Sequence, residues 1–151
     1  MLLESILAYL HISAVLGWVV FLTSQTALLR PAWCNAPALL RLAIAARIAH
    51  VAALSTLLTG LARMALGIKG FGWYAGQPML QAKLALMLLM WGGAWTVSRH
   101  IERWQRAVSL GGSMPGAPAL DWARRRMMLV THLMVVPPLL GVLMAYGVGV
   151  R

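Results

Sequence analysis

The 151-residue chain is 61% apolar and 11% charged, and its formal charge of +10 sets 13 Lys and Arg against Glu4, Glu102 and Asp121. That charged share is roughly half of what a soluble globular domain carries, and the length holds one domain, 1–151, without room for a second. Basic chains often bind nucleic acid, but here the basic residues separate long apolar runs, so no nucleic-acid partner is expected. Cys34 stands alone, which excludes an intramolecular disulfide and a Cys-rich metal site.

A helix crossing the hydrocarbon of a bilayer needs about 20 apolar residues. The first such run, approximately 5–29, carries no formal charge and is interrupted only by His11. It lacks the basic start and small-residue cleavage site of a signal peptide, so it is read as a retained span. A second span, approximately 45–66, contains His50 and is flanked by Arg47 and Arg63. Between spans two and three, "GIKGFGWYAGQP" offers Trp73 and Tyr74 to the headgroup layer. The third span, approximately 79–99, runs from near Lys83 to Arg99. Residues 102–123, with "SLGGSMPGAPAL", read as the longest loop by their Gly and Pro content. Span four, approximately 127–149, holds His132 and the pair Pro137–Pro138, which should kink it. The predicted fold is all-α, a four-helix up-down bundle in the membrane.

Nine basic residues flank loops one and three: Arg30, Arg41, Arg47, Arg99, Arg103, Arg106 and Arg124–Arg126. Arg63, Lys69, Lys83 and Arg151 fall on the other side. The positive-inside rule then predicts both termini periplasmic, in the inner (cytoplasmic) membrane of a bacterium. At 1.5 Å per residue, His50 lies ~8 Å and His132 ~9 Å to the cytoplasmic side of the midplane. His11 lies ~9 Å and Lys83 ~12 Å to the outer side.

Spans two and four are diagonal in such a bundle, so His50 and His132 are placed to ligate a haem iron from its two faces. Arg47 and Arg125, below them, would hold the propionates. On the other diagonal, His11 and Lys83 would face each other as an outer substrate site, with Tyr146 near. An ammonium in the membrane is costly without an anionic partner, and the spans supply no carboxylate except Glu4 at one edge. A propionate, a reduced quinone oxygen or a porphyrin carboxylate would satisfy it. Arg63 is expected to point away and snorkel, and His100 to sit at the cytoplasmic surface. The ten methionines read mainly as helix filler, although Met87, Met90 and Met128 have the soft thioethers that suit Cu(I).

At "GLARMALGIKGFGWYAGQPMLQAKLALML" and "RRRMMLVTHLMVVPPLLGVLMAYGVG" the sequence resembles a bacterial four-helix membrane family, domain of unknown function 2214. Members carry acids late in span one and early in span two, where this chain has Ser24–Gln25 and His50. The exchange of acid for histidine implies a branch able to bind a cofactor. More remotely, "YLHISAVLGW" and "QAKLALMLLM" look like the membrane protoporphyrinogen oxidases, which bind haem b. In that resemblance His11 and Lys83 match the first-helix histidine and the later lysine.

The function expected from these residues is that of a membrane b-type haem protein, moving electrons between a membrane quinone and a small redox partner. The alternatives are a haem-dependent protoporphyrinogen oxidase-like enzyme, with a porphyrin ligand, and a non-enzymatic metal or small-solute membrane protein. The bilayer is the expected surrounding, and a homo-oligomer is compatible with it.

Overall fold

In a computed structural model, residues 2–68, 70–146 and 148 are described; Lys69 and Arg151, counted above for topology, lie outside them. The chain forms α1 (Leu2–Leu28), α2 (Ala36–Leu66), the short α3 (Gly70–Ala75), α4 (Pro78–Ser109), α5 (Ala117–Leu133) and α6 (Val136–Ala145). Four stretches are long and apolar enough to cross a membrane: α1, α2, α4 and the α5–α6 pair. The chain is therefore an all-helical, multi-pass bundle.

Local chemistry sets the helix ends. Asn35 caps α2 by accepting the Ala38 N–H at 2.9 Å on its side-chain oxygen, and Pro37 sits in the first turn, where no N–H is needed. At the end of α4, Gly111 takes φ of 84°. That left-handed conformation lets the Gly112 N–H return to the Ala107 carbonyl at 2.9 Å, closing the helix.

Two expectations are corrected here. The long loop predicted over 102–123 shrinks to 110–116, because α4 continues to Ser109 and α5 begins at Ala117. Polarity had marked where the apolar span ends, but Glu102, Gln105 and Arg106 are good helix formers, and Arg106 pairs with Glu102 one turn away at 3.9 Å. Similarly, α2 starts at Ala36, well before the apolar span. Its 31 residues and the 32 of α4 give lengths of about 46–48 Å, against ~30 Å of hydrocarbon.

The expected kink in span four is a break at Met134–Val135. Pro137 and Pro138 cannot donate to the carbonyls of Leu133 and Met134, so the α-helical ladder stops and α6 restarts with both prolines in its first turn.

Around the bundle α1 packs on α2, α2 on α4, α4 on α5 and α6, and α5 on α1. This leaves α1 opposite α4 and α2 opposite α5. The α1–α2 contact is the most extensive. Small residues permit it: Ala46, Ala49 and Ala53 form a buried stripe on α2, and a Cβ on Gly17 would stand 3.9 Å from that of Ala52. Trp18, Leu22, Leu39, Leu42, Met90, Val97, Ile101 and Met127 fill the core. Leu16, Val20, Leu58 and Leu89 point outward, as lipid-facing residues must.

Candidate functional site

A cavity of about 150 Å³ opens in the half of the bundle nearer the start of α1 and the end of α6. His11 and Trp18 reach it from α1, Thr56 and Arg63 from α2, Tyr74 from α3 and Lys83 from α4. Apolar walls come from Met64, Leu80, Met87, Met90, Met134, Pro137, Pro138 and Met144 among others. Among the described residues, none lining it is acidic. His11 and Lys83, predicted to face each other across one diagonal, do share this cavity.

Two glycines make room for them. A Cβ on Gly60 would stand 3.3 Å from Cε1 of His11, closer than a relaxed contact. One on Gly141 would stand 3.7 Å from Nζ of Lys83. The imidazole lies over the bare backbone of α2 and the ammonium beside that of α6.

Hydrogen bonding ties His11 to α2. Its Nδ1 is 3.0 Å from the Thr59 hydroxyl, which also lies 2.7 Å from the Ser55 carbonyl and 3.2 Å from the Thr56 carbonyl. When that hydroxyl donates to a carbonyl, its oxygen accepts from Nδ1–H of His11, and Nε2 keeps a lone pair for whatever enters the cavity.

His50 has the opposite tautomer. The indole of Trp91 can only donate, and it donates to Nδ1 of His50 at 3.0 Å. The proton of the neutral ring is then on Nε2, which is buried without a hydrogen-bond partner. Trp95 packs on the same ring at 4.9 Å between centroids. His132 is elsewhere: it is exposed, and its Nδ1 lies 2.6 Å from the Met128 carbonyl of its own helix. The buried face of α5 is instead Leu120, Ala123, Met127 and Val130, continued by Met134 at its C-cap.

The structure thus brings His11 and Lys83 to one site and does not bring His50 and His132 together. Arg47 and Arg125 are exposed and form no hydrogen bond or ion pair with either histidine. Among the described residues no three His, Cys, Asp or Glu side chains gather as a metal-binding group.

Three placements differ from expectation. Arg63, expected to snorkel away, borders the cavity while remaining exposed. Tyr74 turns inward from α3, with its hydroxyl 3.5 Å from where a Gly67 Cβ would be. Tyr146, expected near the outer set, is 85% exposed, because the break at Met134–Val135 resets the face that the rest of span four presents. At the opposite end His100 packs edge-on against Trp122 at 4.9 Å, with Arg126 over the same indole at 4.9 Å.

A family model described as "Predicted membrane protein (DUF2214)" matches residues 3–149. No curated protein and no solved structure matches the chain.

Proposed function

The chain belongs to that DUF2214 family of predicted membrane proteins, and from this premise we propose that it binds a membrane quinone in the His11–Lys83 cavity and exchanges electrons between that quinone and a small redox partner. The observation that carries the reading is a ring-sized, methionine-walled cavity whose ionisable groups are all basic or phenolic: His11, Arg63, Lys83 and Tyr74. A cavity near 150 Å³ admits one six-membered ring, as engineered cavities of that size do. Lys83 would donate to a quinone oxygen, His11 would take or return the ring proton, and the methionines would hold the apolar edge. A porphyrin macrocycle is several times larger, which leaves the porphyrin ligand less well supported.

In the orientation set by the arginine-rich loops, the protein lies in a bacterial inner membrane with both termini periplasmic and the cavity in the outer leaflet. Binding of the single-ring duroquinone or a short-chain ubiquinone to the detergent-purified protein, followed by competition, tests the quinone reading. Saturable binding that Lys83→Met weakens supports it. Equal partitioning into the protein and into empty micelles sinks it.

A second reading is haem b held by His50 and His132, with Arg47 and Arg125 at the propionates. The unpartnered Nε2 of His50 favours it. It requires that Trp91 release Nδ1, since an imidazole that accepts at Nδ1 and binds iron through Nε2 would have to be an anion. It also requires His132 to turn inward. Visible spectra of oxidised and dithionite-reduced protein decide: a Soret band lost in both His50→Ala and His132→Ala supports bis-histidine ligation, and its absence from the wild type removes it.

A further inference from the structure

At the end of the bundle remote from the cavity, α4 and α5 run antiparallel, and Gly93 lets them approach. A Cβ there would stand 3.2 Å from Cγ2 of Val130. About two turns along, His100 of α4 comes level with Trp122 of α5, the two rings 4.9 Å apart between centroids and inclined at 72°. Arg126, one turn from Trp122, lays its guanidinium over the same indole at 4.9 Å, and Trp104 flanks His100 at 5.9 Å. We infer that this cluster binds the phosphate of one anionic phospholipid, at the seam of α4 and α5.

Depth points to a lipid. The apolar stretch of α4 ends at Arg99 and that of span four begins at Met127, so the cluster stands where hydrocarbon gives way to headgroups, a level that favours tryptophan. On the apolar side of it, the helical period puts Leu89 on the face of His100 and Leu129 on the face of Trp122. These leucines are 73% and 62% exposed and offer acyl chains a wall. Chemistry points to a phosphate. A guanidinium stacked on an indole engages it through its flat face and leaves its N–H edge for an acceptor. Phosphate oxygens fit that fork and can also accept from an imidazole N–H. Among the described residues no hydrogen bond or ion pair engages Arg126 or a ring nitrogen of His100, and Glu102 pairs with Arg106 instead. Arg99, Arg103 and Arg125 are exposed neighbours along the two helices. A zwitterionic lipid carries the same phosphate but brings an ammonium that these cations repel. The site depends neither on the orientation of the bundle nor on what the cavity binds.

The test titrates the full-length protein in detergent with phosphatidylglycerol or phosphatidylcholine and counts retained lipid by native mass spectrometry. Expected is one phosphatidylglycerol held in preference to phosphatidylcholine, with affinity about fivefold lower in Arg126→Gln and in His100→Phe. Phenylalanine keeps a ring against Trp122 and removes only the donors, and near-ultraviolet circular dichroism checks the fold of each variant. Arg30, stacked on Trp33 at 4.6 Å in the α1–α2 connection, supplies the control. Arg30→Gln should retain the lipid as the wild type does; an equal loss there would assign the binding to basic surface at large and overturn the site. Equal retention of the two lipids overturns recognition of an anionic headgroup. Undiminished binding in both Arg126→Gln and His100→Phe overturns the assignment to this cluster. Displacement of the lipid by an equal concentration of glycerol 3-phosphate would mark a site for soluble phosphates and overturn the lipid as its occupant.

Discussion

The indole N–H of Trp91 donates to Nδ1 of His50 at 3.0 Å and thereby decides which nitrogen of that imidazole carries the proton. It ties α2 to α4 at a depth where water is scarce and an unmade hydrogen bond is expensive. Trp91→Phe should destabilise the bundle by about 1–3 kcal/mol, combining the stranded acceptor with lost ring volume. His50→Phe should cost a similar amount by stranding the indole N–H. The double variant should be less damaging than the sum of the two, because neither partner is then left alone. Unfolding by added sodium dodecyl sulfate in mixed micelles measures all three; strict additivity would show that the bond carries no coupling.

Gly60 and Gly141 both face a cavity side chain, but at different distances. Gly60→Ala places a methyl 3.3 Å from the His11 ring and should push it off Thr59, weakening quinone binding by about 1 kcal/mol, roughly fivefold. Gly141→Ala meets Lys83 Nζ at an ordinary 3.7 Å and should bind nearly as the wild type does. Titration of the purified variants with duroquinone distinguishes them, and equal losses would argue against a steric origin.

The break between α5 and α6 shapes one cavity wall through Met134, Pro137 and Pro138. Replacing both prolines by alanine returns two backbone donors and lets span four run as one helix. Stability should hold or rise while quinone affinity falls severalfold. Unfolding and binding measured on the same preparation test the opposed signs; parallel falls in both would mean the prolines serve packing alone.

Cys34 sits in the α1–α2 connection, partly buried against the core, and burial pushes its thiol up from the usual range. The folded chain therefore holds this proton to higher pH than the unfolded chain does. The associated stability is fully present below the unfolded thiol pKa of about 8.5 and is lost as pH rises through that value toward the folded one. Maleimide labelling at mildly alkaline pH should be slower in the folded protein than in unfolded chain, with the gap narrowing as pH climbs. Equal rates throughout would show an unshielded thiol.

The spans were legible because hydropathy reports what a bilayer demands, and the face of α4 was too: Met87, Met90, Ala94 and Val97 follow one stripe and are buried together. Depth reasoning also placed His11 and Lys83 at one level on opposed helices. The inward placing of His132 failed for a definable reason. Met127, Val130 and Met134 form an equally apolar rival one step round the helix, and only packing against α1 and α4 chooses between them. Nor did sequence reveal the tautomers of His11 and His50, since these depend on Thr59 and Trp91, which lie on other helices. Opposed glycines were the available clue to the cavity, and Gly60 and Gly141 carry no pattern that separates them from ordinary packing glycines.

The overrun of α2 and α4 beyond the hydrocarbon fixes where the cavity floats. In the proposed orientation Arg41, Arg47, Arg99, Arg103 and Arg106 ride on these overhanging turns, in the headgroup layer of an anionic leaflet. Each such charge contributes about 1 kcal/mol of attraction to that surface. Raising the bundle toward the periplasm would drag guanidinium groups into oil, and lowering it would drown the exposed leucines of α1. In that orientation the arginines would act as a draught mark, holding the proposed ring site at one depth, where a tailed ligand diffusing in the outer leaflet would meet it.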